Sequence, residues 1–223
     1  MIQHSRRQIL AAMAAGAAGG LAAPLIRTVP AAAQVVGSCA VEVLDWETLP
    51  KDGIFVSTDV NGITISLTTV KLGDVDFRSD NGKVKDTEIG GQPKQHVLML
   101  EMKPKELLAG QLVTFTFSQP VINVTMPIYD IDNKKNQWSD RVVPSTPFTF
   151  AVPAGSTVIG TGTGADPFRN GDPGEVKKKD PFGNLLLSWP GPVTSVSFEY
   201  YGDVWFNKDM ELAIGNITFQ PCP

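Results

Sequence analysis

The sequence predicts an all-β fold, an antiparallel β-sandwich in jelly-roll or Greek-key order, and three observations carry that prediction. Apolar and polar residues alternate over short runs, no long stretch repeats its apolar residues at helical spacing, and clusters of Gly, Pro, Asp and Asn separate the runs. With 21 Gly and 17 Pro in 223 residues, chain reversals are frequent. About ten strands folded into two facing sheets is the economical solution.

In chain order, Glu42 to Glu47 reads as a first strand with Trp46 in the core. Ile63, Ile65 and Leu67 alternate with Thr64, Ser66 and Thr68, which gives a strand with one buried face. Val97 to Met102 is apolar on both faces until Glu101, so it belongs in the middle of a sheet. A single helical turn fits Pro104 to Leu108. Val113, Phe115 and Phe117 restore the alternation up to a break at Pro120, after which a second strand ends in Asp130-Ile131-Asp132. The stretch from Thr161 to Gly183 is rich in Gly, Asp, Pro and Lys and reads as a long loop, too polar for the core. Trp189 sits in a strand, and Val196, Phe198 and Tyr200 form the inward face of the next. Leu212 and Ile214 occupy one parity and Ile217 and Phe219 the other, so a β-bulge is expected at Gly215. Turn clusters fall at Asp59–Gly62, Asp80–Gly82, Gly90–Pro93, Pro153–Gly155 and Pro190–Pro192.

The N-terminus is an address before it is structure. Ser5-Arg6-Arg7-Gln8-Ile9-Leu10, followed by an Ala/Gly run, resembles the signal read by the twin-arginine export system. Ala31-Ala32-Ala33 offers a peptidase site, so residues 1–33 are expected to be removed and 34–223 to form one domain. Gly16, Gly19, Gly20, Pro24 and Arg27 interrupt the apolar run, and no membrane span is expected in the mature protein. The destination is the periplasm, the medium or the cell surface. Cleavage removes three of the 19 basic residues and none of the 23 acidic ones, making the mature chain more negative than the net −4 of the whole. Nucleic acid is therefore excluded as a partner class, because phosphate binding needs clustered Lys and Arg. The one basic run, Lys177 to Lys179, reads as a solvated loop.

Export permits a disulfide between Cys39 and Cys222, which would close nearly the whole mature chain and require neighbouring terminal strands. A lipid anchor at Cys39, suggested by Val36-Gly37-Ser38-Cys39, is the competing reading. The run Arg27 to Ala33 separates that segment from the apolar stretch and argues against it.

The segments Phe115 to Asp132, Gly191 to Tyr200 and Ile214 to Phe219 resemble strands of secreted bacterial β-sandwich domains of surface and adhesin-like proteins, and of jelly-roll carbohydrate-binding modules. The resemblance implies a non-catalytic binding role at a surface, often with a structural calcium. Asp130, Asp132, Asn133 and Asp140, with Asn136, offer oxygen ligands from one short loop, as calcium uses. The same residue types also cap turns by bonding their own backbone. Trp138 lies in that loop, and Trp205 and Phe206 lie among Asp203, Asn207 and Asp209; aromatic faces beside carboxylates suit a glycan, although aromatics also simply fill cores. A second acidic group, Asp74, Asp76 and Asp80, reads as turn chemistry.

Catalysis finds little support. His96 would be the only histidine after cleavage and opens an apolar strand, where a lone His is usually a packed or surface residue, so the sequence points to no Ser-His-Asp triad and no histidine-rich metal site around it. Glu42, Glu47, Glu101, Glu199 and Glu211 could serve a carboxylate-based hydrolase or lyase, but sequence picks out no pair. A secreted non-catalytic glycan-binding domain is the leading expectation. An adhesive surface protein that binds another protein, and the hydrolase, are the alternatives.

Overall fold

The computed structural model describes residues 39–134, 137–172, 176–203 and 208–221. Its strands are β1 (Glu42–Leu44), β2 (Ser57–Val60), β3 (Ile63–Leu72), β4 (Val75–Phe77), β5 (Lys83–Ile89), β6 (Gln92–Pro104), β7 (Gly110–Tyr129) and β8 (Asn133–Lys134). They continue with β9 (Trp138–Pro144), β10 (Thr149–Ala151), β11 (Val158–Ile159), β12 (Arg169–Asn170), β13 (Leu185–Trp189), β14 (Val193–Gly202), β15 (Met210–Ile214) and β16 (Ile217–Gln220). All pairings are antiparallel, and neighbours in the sheets are mostly not neighbours in sequence, as Greek-key order requires. The fold is the expected all-β sandwich, with several additional short strands that the sequence pattern does not resolve.

The two layers share β7. Its first half pairs with β3 and β14, with Phe115 opposite Leu67 and Val196. Its second half pairs with β13, β15 and β16, with Val124 opposite Trp189 and Thr125 opposite Thr218. The break expected at Pro120 is instead a corner within one strand. Val113, Phe115, Phe117 and Val121 point inward on one parity, Val124, Met126 and Ile128 on the other, and the change falls at Asn123, whose φ is +52°. One extra residue in the ladder turns the strand from one layer into the other. The inner faces meet in one hydrophobic cluster, where Phe117 and Phe219 from opposite layers lie 5.4 Å apart.

β6 is interior, as expected: it pairs with β15 on one side and with β4 and β5 on the other. Leu98, Leu100 and Met102 enter the main core, whereas Val97 and Met99 join Ile89, Ala213 and Tyr129 in a smaller cluster on the other face. Two hairpins, β2–β3 and β5–β6, turn on Asn61-Gly62 and Gly90-Gly91, all four residues with positive φ, the requirement of a two-residue primed turn.

Several expectations need correction. Trp46 is fully buried but lies in a 3-10 turn, Trp46–Thr48, rather than in a strand, so Glu42 and Glu47 do not share one. The turn forms because Asp45 caps the Glu47 N–H, and the Trp46 indole N–H is held by the Gly215 carbonyl at 2.8 Å. The chain at Pro104–Leu108 bends without making a helical turn. The bulge expected at Gly215, by contrast, is present at the break between β15 and β16: Ile214 lies opposite Ile128 and Thr218 opposite Thr125, so one extra residue sits against β7 and changes the parity. A side chain at Gly215 would meet the Tyr129 ring. The stretch from Thr161 to Gly183 is not excluded from the core: it carries β12, and Phe168 is fully buried against Phe148 and Phe150.

β1 pairs with β16, so the terminal strands are neighbours, and the Gln220 side chain donates to the Cys39 carbonyl at 3.0 Å. Cys222 lies outside the described residues. No helix among the described residues is long and apolar enough to cross a membrane.

Candidate functional site

The site grows from the end of β7. Asp130 follows the last residue of that strand with φ +69°, a left-handed conformation that Asp tolerates better than most residues. The turn is held by the Ile131 N–H donating to the Gly183 carbonyl at 3.0 Å, and Ile131 is buried in the core. Asp130 is thereby carried into the protein with only 4% of its surface exposed, and its Oδ1 has no hydrogen-bond partner among the described residues. Burial, assisted by the charges of Asp132 and Glu211 and opposed by Lys178, raises its pKa to about 8.

Beneath Asp130 lies a satisfied polar network. Asp140, fully buried on β9, accepts the Tyr200 hydroxyl through Oδ1 at 3.0 Å and the Asp132 N–H through Oδ2 at 2.9 Å. Burial is the main reason that the pKa values of Asp140 and Tyr200 both stand well above their ordinary ranges. Asp132 in turn accepts the Trp138 indole N–H at 2.6 Å. This chain of bonds fixes the corner between β7 and β9.

These groups open onto a cavity of about 490 Å³ lined by Glu101, Asp130, Asp132, Trp138, Val176, Lys177, Lys178, Asp209, Met210 and Glu211. Strand register supplies one wall: Glu101 on β6 lies directly opposite Glu211 on β15. Side chains so placed have Cβ atoms about 5 Å apart, and like charges there repel. Lys178 answers Glu211 at 3.0 Å. Glu101 is held by the Asp80 N–H at 3.3 Å; burial raises its pKa, the Asp80 bond works against that, and the Glu211 charge adds to it.

The loop carrying Val176 to Lys178 forms the opposite wall and is docked, not free. Gly90 and Gly91 donate their N–H groups to the Lys178 and Lys179 carbonyls at 2.9 Å, and Val176 is buried. Lys179 is paired with Glu88. Lys177–Lys179 is a loop with Lys177 and Lys179 exposed, as expected, but its backbone is strapped across the β5–β6 hairpin, because the positive-φ Gly-Gly turn leaves its amides pointing outward.

Of the residues singled out in the sequence, Asp130, Asp132 and Trp138 line one cavity. Asp140 lies behind them with both oxygens engaged. Asn133 faces away, its amide donating to the carbonyls of Asn170 and Asp172 at 3.1 and 2.7 Å. Trp205 and Phe206 lie outside the described residues. No group of three or more His, Cys, Asp and Glu able to hold a metal ion occurs among the described residues. Asp74 and Asp76 pair with Lys105, and Asp80 with Lys83 and Lys85, as ordinary surface ion pairs. His96 is packed, its Nδ1 3.1 Å from the Trp46 carbonyl. Glu101 and Glu211 were among the five carboxylates named from the sequence, but their pairing was not: it follows from the register of β6 on β15. Asp209 and Lys178 were read there as residues of polar loops and not as lining of the same cavity.

No family model matches the chain, and no curated protein matches it.

Proposed function

We propose that the protein is exported, closed by a Cys39–Cys222 disulfide, and binds a glycan in the cavity beneath Trp138 without chemically changing it. The observation that carries this reading is the buried Asp130 carboxyl, unpartnered at Oδ1, in a cavity that also presents an indole and several further carboxylates. A buried polar group without a partner is unfavourable, and a ligand hydroxyl would supply the missing bond. The volume is within the range of small-ligand sites and accommodates one or two sugar rings. Trp138, partly buried against the core, brings an apolar surface suited to sugar C–H groups.

A glycan array followed by calorimetry on the mature protein tests this. Binding to at least one oligosaccharide is expected, with affinity falling about tenfold or more in Trp138→Ala, the loss of one good contact. Retention of no glycan at high protein concentration would remove the reading. Release of shortened products from a bound oligosaccharide would replace it with the hydrolase, which the facing Glu101 and Glu211 favour.

Calcium has a separate test. With Asp140 fully engaged and Asn133 turned away, a cation would depend on Asp130, Asp132 and the two glutamates. Millimolar calcium would then raise the melting temperature and chelator reverse it, and indifference to both ends the calcium reading.

A further inference from the structure

We infer that the ligand of this cavity is an amino sugar bearing a free ammonium group, held between Asp130 and the Glu101–Glu211 pair; the inference rests on the glycan reading above. Three observations support it. Asp130 is 4% exposed with an unpartnered Oδ1, so the site contains a buried acceptor waiting for a donor. Glu101 and Glu211 face each other across adjacent strands, an arrangement that like-charge repulsion disfavours, and Lys178 offsets it at Glu211 alone. Lys178 meets Glu211 only, leaving Glu101 without a cationic partner among the described residues.

An ammonium suits this lining better than a hydroxyl does. It brings three donors and a full positive charge, where a hydroxyl brings one donor and none. Acidic groups outnumber lysines on the cavity wall, and although Lys178 pairs with Glu211 and Arg78 with Asp209 at 3.1 Å, Glu101 has no cationic partner among the described residues. Uronic acids and sulfated sugars are accordingly disfavoured, since each anion would enter an acidic, partly desolvated space. A bare metal ion finds no group of three carboxylates placed to ligate it among the described residues.

The proton inventory follows. The groups facing Asp130 are Asp132 beside it, Asp140 from β9 and Tyr200 from β14 beneath it, Glu211 from β15 and Asp209 before it, the latter paired with Arg78, Glu101 from β6, and Lys177 and Lys178 from the strap. At neutral pH Asp130 holds a proton, and an ammonium placed against it favours the ionised form. Binding should therefore release a proton.

Isothermal calorimetry on the mature protein at about pH 5.5, where the sugar amines are fully protonated and Asp130 still holds its proton, in two buffers of different ionisation enthalpy, tests the inference with three probes of equal length: a glucosamine oligomer, its fully N-acetylated counterpart and a cello-oligosaccharide. Spermidine serves as an amine without a sugar. The glucosamine oligomer is expected to bind at least tenfold more tightly than the other two sugars, with net proton release. Glu211→Gln and, separately, Glu101→Gln should reduce that preference several-fold; both side chains are partly exposed, and a melting curve checks that each variant is folded. Equal affinity for the acetylated or neutral oligosaccharide overturns the inference and leaves the glycan reading standing. Absence of binding to any sugar removes both. Spermidine bound as tightly as the glucosamine oligomer also overturns it, since a sugar would then contribute nothing.

Discussion

Asp130→Asn should make the protein more stable at neutral pH and less able to bind its ligand. In the unfolded chain the carboxyl ionises near its ordinary value of 3.8, whereas in the fold it keeps its proton to about pH 8. Between those values the unfolded state has released a proton that the folded state retains, so stability declines as pH rises from 4 toward 8 and levels off above. Asparagine cannot ionise and accepts the left-handed backbone at this position, so the variant escapes that decline. The expected gain at pH 7 is about 2–4 kcal/mol, or about 5–15 °C in melting temperature for a domain of this size. The advantage should shrink toward zero near pH 4. Urea unfolding at pH 4, 6 and 8 measures it, and identical pH profiles for the two proteins would mean that Asp130 is already ionised in the folded state. A site that costs stability while offering a ready acceptor is one that function retains.

The second large effect concerns a residue far from the cavity in sequence. Trp46→Ala should lose about 3–5 kcal/mol, the range for removing a large buried aromatic. Trp46 is fully buried, packs edge-on to Phe55 at 5.0 Å, and donates its indole N–H to the Gly215 carbonyl at 2.8 Å. That bond ties the first turn of the fold to the break between β15 and β16. Losing it should also loosen β15, which carries Glu211, so ligand affinity should fall along with stability. Trp46→Phe keeps much of the volume but not the donor, and should recover about half of the loss. A loss below about 1 kcal/mol in the alanine variant would show that the turn is peripheral.

How far the sequence could be read depended on whether a feature was local. Alternation at Ile63–Leu67, Val113–Phe117 and Val196–Tyr200 was visible because side chains in a strand take opposite faces at every step, and the interior position of Val97–Met102 because two apolar faces need two covers. The corner at Asn123 was misplaced to Pro120, since proline marks a break in any sequence while a parity change shows only once the partners on both sides are known. Asp130, Asp132 and Trp138 were legible because eight residues of chain hold them together.

What the sequence determined by itself was the class of the fold, its turns, and one half of the candidate site. Tertiary structure alone decided the other half. Glu101 and Glu211 are more than a hundred residues apart and meet only because β6 and β15 pair in a particular register, and Lys178 reaches Glu211 only because two outward-pointing glycine amides capture its loop. Register is set by the summed packing of both layers, a property of the folded whole that no single segment carries.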